Sequence, residues 1–339
     1  MYALYLLRFV RYSTMLTLPD FQERQCLLLF TGEGDKLSFK NDNILITAKD
    51  GKVIHQSTCY RLFCVFIIGH ISITSGLLQR ARKFGFSIIL LSYGLKYYGS
   101  FFSRTEGNVL LREKQYSYKG LEIAKHLLEN KMLTQIQNLQ KIRNKTEYLK
   151  QNIEILQSYR QDLANLQGYC LNDLLGREGV FSRIYFQNIF KDYNWKGRFP
   201  RAKTDIINCL LDIGYTILFN FIEAIAGIYG FDVYKGVYHT EFYQRKSLIC
   251  DLIEPFRVII DHALRKAYNL GQIKKEDFSC YQNKFTVFGE KAKPYTVIFL
   301  KEILANKKDI FVYLQQYYRC FIRCKDIKEY PVYDFYKGG

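Results

Sequence analysis

The chain has 339 residues, 48% of them hydrophobic and 24% charged, a balance that excludes a disordered protein and leaves room for two ordinary domains. Lys and Arg number 49 against 32 Asp and Glu, a formal charge of +17, and so large a surplus implies a polyanion as partner, either nucleic acid or a membrane surface. No uninterrupted apolar run approaches the roughly 20 residues of a spanning helix. Arg8 interrupts the short apolar start from Met1 to Leu7, so neither a signal peptide nor a membrane span is expected. Nucleic acid is therefore the favoured partner and the cytoplasm the expected compartment. Nine cysteines, an odd count with no CxxC pair, read as reduced thiols and not as zinc fingers or disulfides. The 28 Tyr and 26 Phe leave room for stacking on bases, although most read as core residues.

Residues 1–105 read as β-rich. Asp50-Gly51, between Ile44–Lys49 and Lys52-Val53-Ile54, predicts a hairpin with a type I′ turn, whose two central residues both need positive φ. Strand-like runs follow over Leu62–Thr74 and Phe86–Ser92. Between them Leu77–Phe84 predicts a short helix closed by Gly85, and Tyr93-Gly94 and Gly99 punctuate a last strand ending near Phe102. Residues 106–120 read as a linker. From Leu121 apolar residues recur at helical spacing: Leu121, Leu128, Met132, Gln135, Leu139 and Ile142 form a near-heptad seam. Lys125, Lys131, Lys141, Arg143, Lys145 and Lys150 decorate the same stretch and read equally as a solvated face or a nucleic-acid face. No strand pattern is evident from about 122 to 320, so 121–325 reads as a mainly helical domain and 326–339 as a tail.

Chemistry-bearing residues gather in three segments. Glu178 stands in Gly176-Arg177-Glu178-Gly179, read as a helix start between glycine-bearing turns; His239 closes Gly236-Val237-Tyr238-His239; Asp251 and Glu254 lie in Ser247–Arg257. Asp251 and Glu254, at i and i+3, would share a helix face among Leu252, Ile253 and Phe256, and buried carboxylates need a positive partner. One imidazole and up to three carboxylates suit Mg²⁺ or Mn²⁺ better than zinc. Salt bridges from Arg245 and Arg257 are the plainer reading of the acidic pair. Pro255, lacking an N–H, predicts a kink beside these residues.

These segments resemble the CRISPR spacer-acquisition integrase and endonuclease family Cas1. The resemblance rests on the three motifs, on Asp205–Tyr215 with its Asp, Asn and Gly-Tyr, and on the Asp50-Gly51 hairpin and Gln115-Tyr116. Ile206 stands where the family often has proline, and the first 25 or so residues match weakly. The resemblance implies an α+β fold, an N-terminal β-sandwich-like domain for dimerisation and DNA positioning followed by a mainly α-helical catalytic domain. It implies Glu178, His239 and Glu254 as ligands of Mg²⁺ or Mn²⁺, with Asp251 a further acid of the same site. The reaction implied joins 3′-hydroxyl ends of protospacer DNA to a CRISPR repeat by transesterification, in a homodimer bridged by the small partner protein Cas2.

The basic surplus would then hold duplex DNA, with Arg183, Lys196, Arg198, Arg201, Lys203, Arg245 and Arg257 as candidate contacts and Lys191 in the same run; Arg319, Arg323 and Lys325 form a second cluster. Rival readings are a stand-alone metal nuclease or transposase-like integrase on the same fold, and a catalytically silent DNA-binding scaffold. A tyrosine recombinase lacks its Arg/His/Arg constellation here.

Overall fold

The computed structural model describes residues 16–336 except 104, 194 and 196, and except the side chain of Asp192. The apolar start at Met1 to Leu7 and Lys196 thus lie outside the described residues. In chain order the N-terminal part runs α1 (Leu18–Glu23), β1 (Gln25–Phe30), β2 (Lys36–Lys40), β3 (Asn43–Thr47), β4 (Val53–Thr58), β5 (Leu62–Ile68), α2 (Ser75–Phe84), β6 (Ser87–Leu91) and β7 (Tyr97–Phe101). One sheet has the order β1-β5-β6-β7, with β1, β5 and β6 parallel and β7 antiparallel; the other is the antiparallel meander β2-β3-β4.

β5 is buried at all seven positions, the signature of a strand covered on both faces. Val65 and Ile67 face Leu37, Ile44 and Ile46 of the meander and Leu77 and Ala81 of α2. Cys64, Phe66 and Ile68 face the other way and join the large helical core. The pleat thus fastens the strand-rich region to the helices, through alternate side chains of one strand.

The Asp50-Gly51 hairpin forms, but not with a type I′ turn. Only Gly51 has positive φ (85°), and the Gly51 N–H bonds Ala48 O (2.9 Å) while the Ala48 N–H bonds Lys52 O (2.9 Å). This is the three-residue loop in which one left-handed glycine closes the turn. The two-residue turns with positive φ at both positions lie elsewhere, at Asn41-Asp42 between β2 and β3 and at Gln282-Asn283. The α2 helix ends at Gly85 in the left-handed region (φ 73°), as its sequence predicts.

The remainder is α3 (Val109–Ser117), α4 (Glu122–Gln140), α5 (Glu147–Ala164), α6 (Leu171–Ile189), α7 (Ile206–Tyr229), α8 (Ser247–Leu252), α9 (Arg257–Asn269), the hairpin β8 (Ser279–Tyr281) and β9 (Lys284–Thr286), α10 (Lys293–Ala305) and α11 (Lys307–Ile322). Two expectations change. The expected linker 106–120 contains α3, whose Gln115 amide binds Asp232 O and the Asp232 N–H, and the mainly helical region, where no strand pattern is evident in the sequence, contains the exposed hairpin β8–β9. α7 is long and apolar enough to cross a membrane, yet most of it is buried within the protein. Asp205 caps it by accepting from the Asn208 N–H at 2.7 Å.

The C-terminal segment docks along α4. Asn130 exchanges two hydrogen bonds of 2.8 Å with the Tyr333 backbone, Gln137 accepts from the Phe335 N–H at 2.9 Å, and Lys141 reaches Phe335 O at 2.7 Å. α4 is thereby enclosed on nearly all sides, and its polar residues Asn130, Lys131, Gln135, Gln137 and Asn138 are buried. All nine cysteines are free thiols.

Candidate active site

Four segments converge beside α4. Pro255 ends α8 early: the Ile253 N–H still reaches Ile249 O (3.1 Å), and one 3-10 turn, Glu254–Phe256, intervenes before α9. The predicted break is present. Its consequence is that Asp251 and Glu254 do not act as a same-face pair, because the break sends them to different partners.

Asp251 is fully buried and organises the loop before α8. Its Oδ2 accepts from the Val237 N–H (2.6 Å) and the Tyr238 N–H (3.1 Å), and its Oδ1 from the His239 N–H (2.8 Å) and His239 Nδ1 (2.7 Å). Both carboxylate oxygens are thus committed to protein donors, and the His239 imidazole is one of the groups they hold. A carboxylate on Nδ1 fixes the imidazole as the Nδ1–H tautomer and leaves the Nε2 lone pair free, the arrangement common behind metal-bound histidines. Gly236 is required for close approach: a Cβ there would lie 2.7 Å from Asp251 Oδ2 and 3.0 Å from His239 O.

Glu178 sits in the interior of α6 and not at a helix start; Gly176 and Gly179 are helical residues on its open side. Its carboxylate is bonded through Oε1 by the Lys131 ammonium and through Oε2 by the Tyr238 hydroxyl. Lys131 Nζ also lies 2.7 Å from Glu254 Oε2, and Arg257 Nε donates to Glu254 Oε1 at 3.0 Å. Glu254 Oε2 makes close ion contact but, among the described residues, has no donor at a hydrogen-bonding angle. Burial alone would raise both carboxyls and lower the ammonium, but the ion contacts outweigh it. Arg257, then Lys131, holds Glu254 down to about 2, Lys131 holds Glu178 below its ordinary value, and the two carboxylates raise Lys131. Burial, then Glu178, pushes the Tyr238 phenol up, so it remains a donor.

The structure therefore brings together Glu178, Glu254 and the Asp251–His239 pair, and adds Lys131 and Tyr238. The sequence places Lys131 in a run that reads equally as a solvated or a nucleic-acid face, but its side chain is 8% exposed. The available signal was its place three residues after Leu128 and four before Gln135, on the buried seam. Tyr238 lay inside a recognised motif without a role. Among the described residues no three His, Cys, Asp or Glu side chains already close around a common point; Glu178 and Glu254 both contact Lys131. The donor set itself, two carboxylates and an open imidazole nitrogen with one carboxylate oxygen lacking a hydrogen-bond donor, fits a hard divalent cation.

The expected DNA contacts are scattered. Arg183 is exposed on α6, and Arg201 is exposed with left-handed backbone (φ 63°). Lys203 and Arg245 are half-buried, the latter closing a turn by its N–H onto Phe242 O at 2.9 Å. Arg198 is turned inward to Asp212 (2.6 Å) and Asn208 (3.0 Å), and Arg257 to Glu254 and the Tyr215 ring, so these two act within the fold. Arg319 and Arg323 are exposed, and Lys325 pairs with Glu329 at 3.0 Å.

Strand-rich and helical halves welded through β5, with a carboxylate–imidazole cluster in the helical half, define an α+β protein with an acidic candidate site. The family model described as CRISPR associated protein Cas1 matches residues 28–297, and the chain belongs to the Cas1 family. It is 31% identical over 225 residues to "CRISPR-associated endonuclease Cas1 1" of Thermodesulfovibrio yellowstonii, covering 63% of this chain and 71% of that one. With a protein of the same description from Archaeoglobus fulgidus it shares 28% over 283 residues, covering 74% and 80%. Among solved structures, a Cas1 protein from Thermotoga maritima superposes with a TM-score of 0.74 at 18% identity, covering 88% of this chain and 97% of that one. A casposase bound to integration product gives 0.74 at 19%, covering 92% and 95%. A Cas6-RT-Cas1–Cas2 complex gives 0.76 at 21%, covering 92% of this chain but only 36% of that longer one. These likenesses bear out the fold expectation, a strand-rich N-terminal region followed by a helical one.

Proposed function

We propose that the chain is a divalent-ion-dependent DNA integrase and endonuclease of CRISPR adaptation, joining 3′-hydroxyl ends of protospacer DNA to a CRISPR repeat in the cytoplasm. The observation that carries this reading is the convergence of Glu178, Glu254 and a His239 oriented by Asp251, in a Cas1-family chain of charge +17. Glu178, His239 and Glu254 would hold Mg²⁺ or Mn²⁺. Bound there, the ion would polarise the scissile phosphoryl oxygen and offset charge on the leaving oxygen.

The chain's own residues supply orientation. Asp251 holds the imidazole in the tautomer that presents Nε2, and Arg257 and Tyr238 hold one oxygen each of Glu254 and Glu178. The attacking group is the DNA 3′-hydroxyl, so no protein nucleophile is needed; with water in its place the same arrangement nicks DNA. A homodimer working with the small protein Cas2 is supported by the likeness to a chain from a Cas1–Cas2 complex. The casposase likeness favours one second reading, a stand-alone integrase without repeat preference.

The test is to incubate a short duplex bearing 3′-hydroxyl ends with a supercoiled plasmid carrying the cognate repeat, with Mn²⁺ or Mg²⁺, with and without Cas2. Joining at the repeat, lost in Glu178→Ala and His239→Ala, is the expected result. Joining that survives both substitutions refutes the metal site, joining only at scattered positions favours the second reading, and no joining or nicking leaves a DNA-binding scaffold.

A further inference from the structure

Lys131 is the one residue of the site that metal-dependent phosphoryl transfer does not ask for. It comes from α4, a helix otherwise committed to the core, and its ammonium contacts one oxygen of each ligand carboxylate: Oε1 of Glu178 and, at 2.7 Å, Oε2 of Glu254. The remaining oxygens are already tied, Glu178 Oε2 by the Tyr238 hydroxyl and Glu254 Oε1 by Arg257 at 3.0 Å. The two oxygens left to meet a cation are therefore the two that Lys131 holds.

We propose that Lys131 is a built-in counter-cation whose ammonium occupies the place of the divalent ion between Glu178 and Glu254 and is displaced when the ion binds. This inference rests on the metal-site reading above. A buried and a half-buried carboxylate held this close without a cation would repel, and an ammonium on a flexible four-carbon stem offsets this. Lys131 thus keeps the ion-free site assembled and, as a competing charge, weakens and tunes ion affinity. It is a positioning residue, and the sign of its effect separates it from a merely structural one. Loss of a structural residue loosens ion binding, whereas loss of a competitor tightens it.

The experiment uses the full chain with Mn²⁺ as probe, measuring affinity by calorimetry and melting temperature with and without the ion, for the wild type, Lys131→Met, Lys131→Gln, Lys131→Met with Glu178→Gln, and Glu178→Ala with His239→Ala. The expected result is Mn²⁺ binding tighter by about tenfold or more in both single variants. A lower ion-free melting temperature, recovered by Mn²⁺ or by the added Glu178→Gln, is expected with it. Affinity equal to or weaker than wild type in Lys131→Gln overturns the proposal. So does failure of both single variants to fold even with Mn²⁺, since the ion then cannot replace the ammonium. A wild type that binds no Mn²⁺, or binding that survives Glu178→Ala with His239→Ala, instead overturns the metal-site reading itself and the role of Lys131 with it.

Discussion

Replacing Asp251 with asparagine exchanges one carboxylate oxygen for an amide N–H₂ in a fully buried position that receives four hydrogen bonds. If the amide oxygen takes the place of Oδ1, the N–H₂ faces the Val237 and Tyr238 N–H groups, two donors against a donor. If it takes the place of Oδ2, the N–H₂ faces the His239 N–H and Nδ1. The first placement leaves two N–H groups without an acceptor; the second leaves one, since the imidazole can carry its proton on Nε2 and accept from the amide at Nδ1. At about 1–3 kcal/mol for each lost acceptor, a loss of about 2 kcal/mol remains after partial relaxation. Urea unfolding at neutral pH reads that loss, and calorimetry with Mn²⁺ reads the accompanying loss of imidazole orientation. An Asp251→Asn variant within about 0.5 kcal/mol of wild type refutes the anchoring role. Wild-type stability with abolished Mn²⁺ binding would show Asp251 to be a direct ligand instead.

Other substitutions probe neighbouring parts of the account. Gly236→Ala places a methyl 2.7 Å from Asp251 Oδ2 and is expected to cost about 2 kcal/mol in a thermal or urea melt. Gly176→Ala, in the interior of α6 with nothing within 4 Å, is expected to stabilise by about 0.5–1 kcal/mol in the same melt. Burial raises the Asp261 carboxyl from 3.8 to about 6 and, with Lys141, Lys266 and Arg265, lowers the His262 imidazole from 6.5 to about 4. Acidification from pH 6 to 4 therefore stabilises through Asp261, which the folded state protonates first, and destabilises through His262, which the unfolded state protonates first. Across that window each amounts to about 2 kcal/mol and the two largely cancel. Asp261→Asn is expected to steepen acid loss and His262→Gln to reduce it; identical stability-versus-pH curves for both variants and wild type would contradict this. Reversing Arg183, Arg201 and Lys203 together to Glu is expected to lower duplex affinity several-fold at moderate salt and to flatten its salt dependence, as read by fluorescence anisotropy.

The site was legible where rare chemical groups interrupt apolar sequence, as His239, Asp251 and Glu254 do. It was less legible where a residue's role depends on which way a helix turns. Lys131 carries the same local signal as the solvated Lys150, and only its register with Leu128 and Gln135 distinguishes it. Glycines at 176 and 179 suggested turns, yet Leu174, Phe181 and Tyr185 anchor α6 in the core at helical spacing and hold the helix through them. Strands β5 and β6 were readable as apolar runs. β1 was not recognised, because its parallel partner lies some forty residues away and leaves no local turn signature. The hairpin β8–β9 was missed because its strands are short and mostly exposed. Pro255 was the most informative single residue, since the break it makes separates the roles of Asp251 and Glu254.

The most direct test of the central claim is a crystal structure of the full chain grown with Mn²⁺, read by its anomalous difference map. The account predicts one or more peaks ligated by Glu178, Glu254 and His239 Nε2, with Asp251 still bonded to Nδ1 and the Lys131 ammonium moved off the two carboxylates. A peak coordinated by Asp251, or no peak at saturating Mn²⁺ with Lys131 still bridging Glu178 and Glu254, would contradict it.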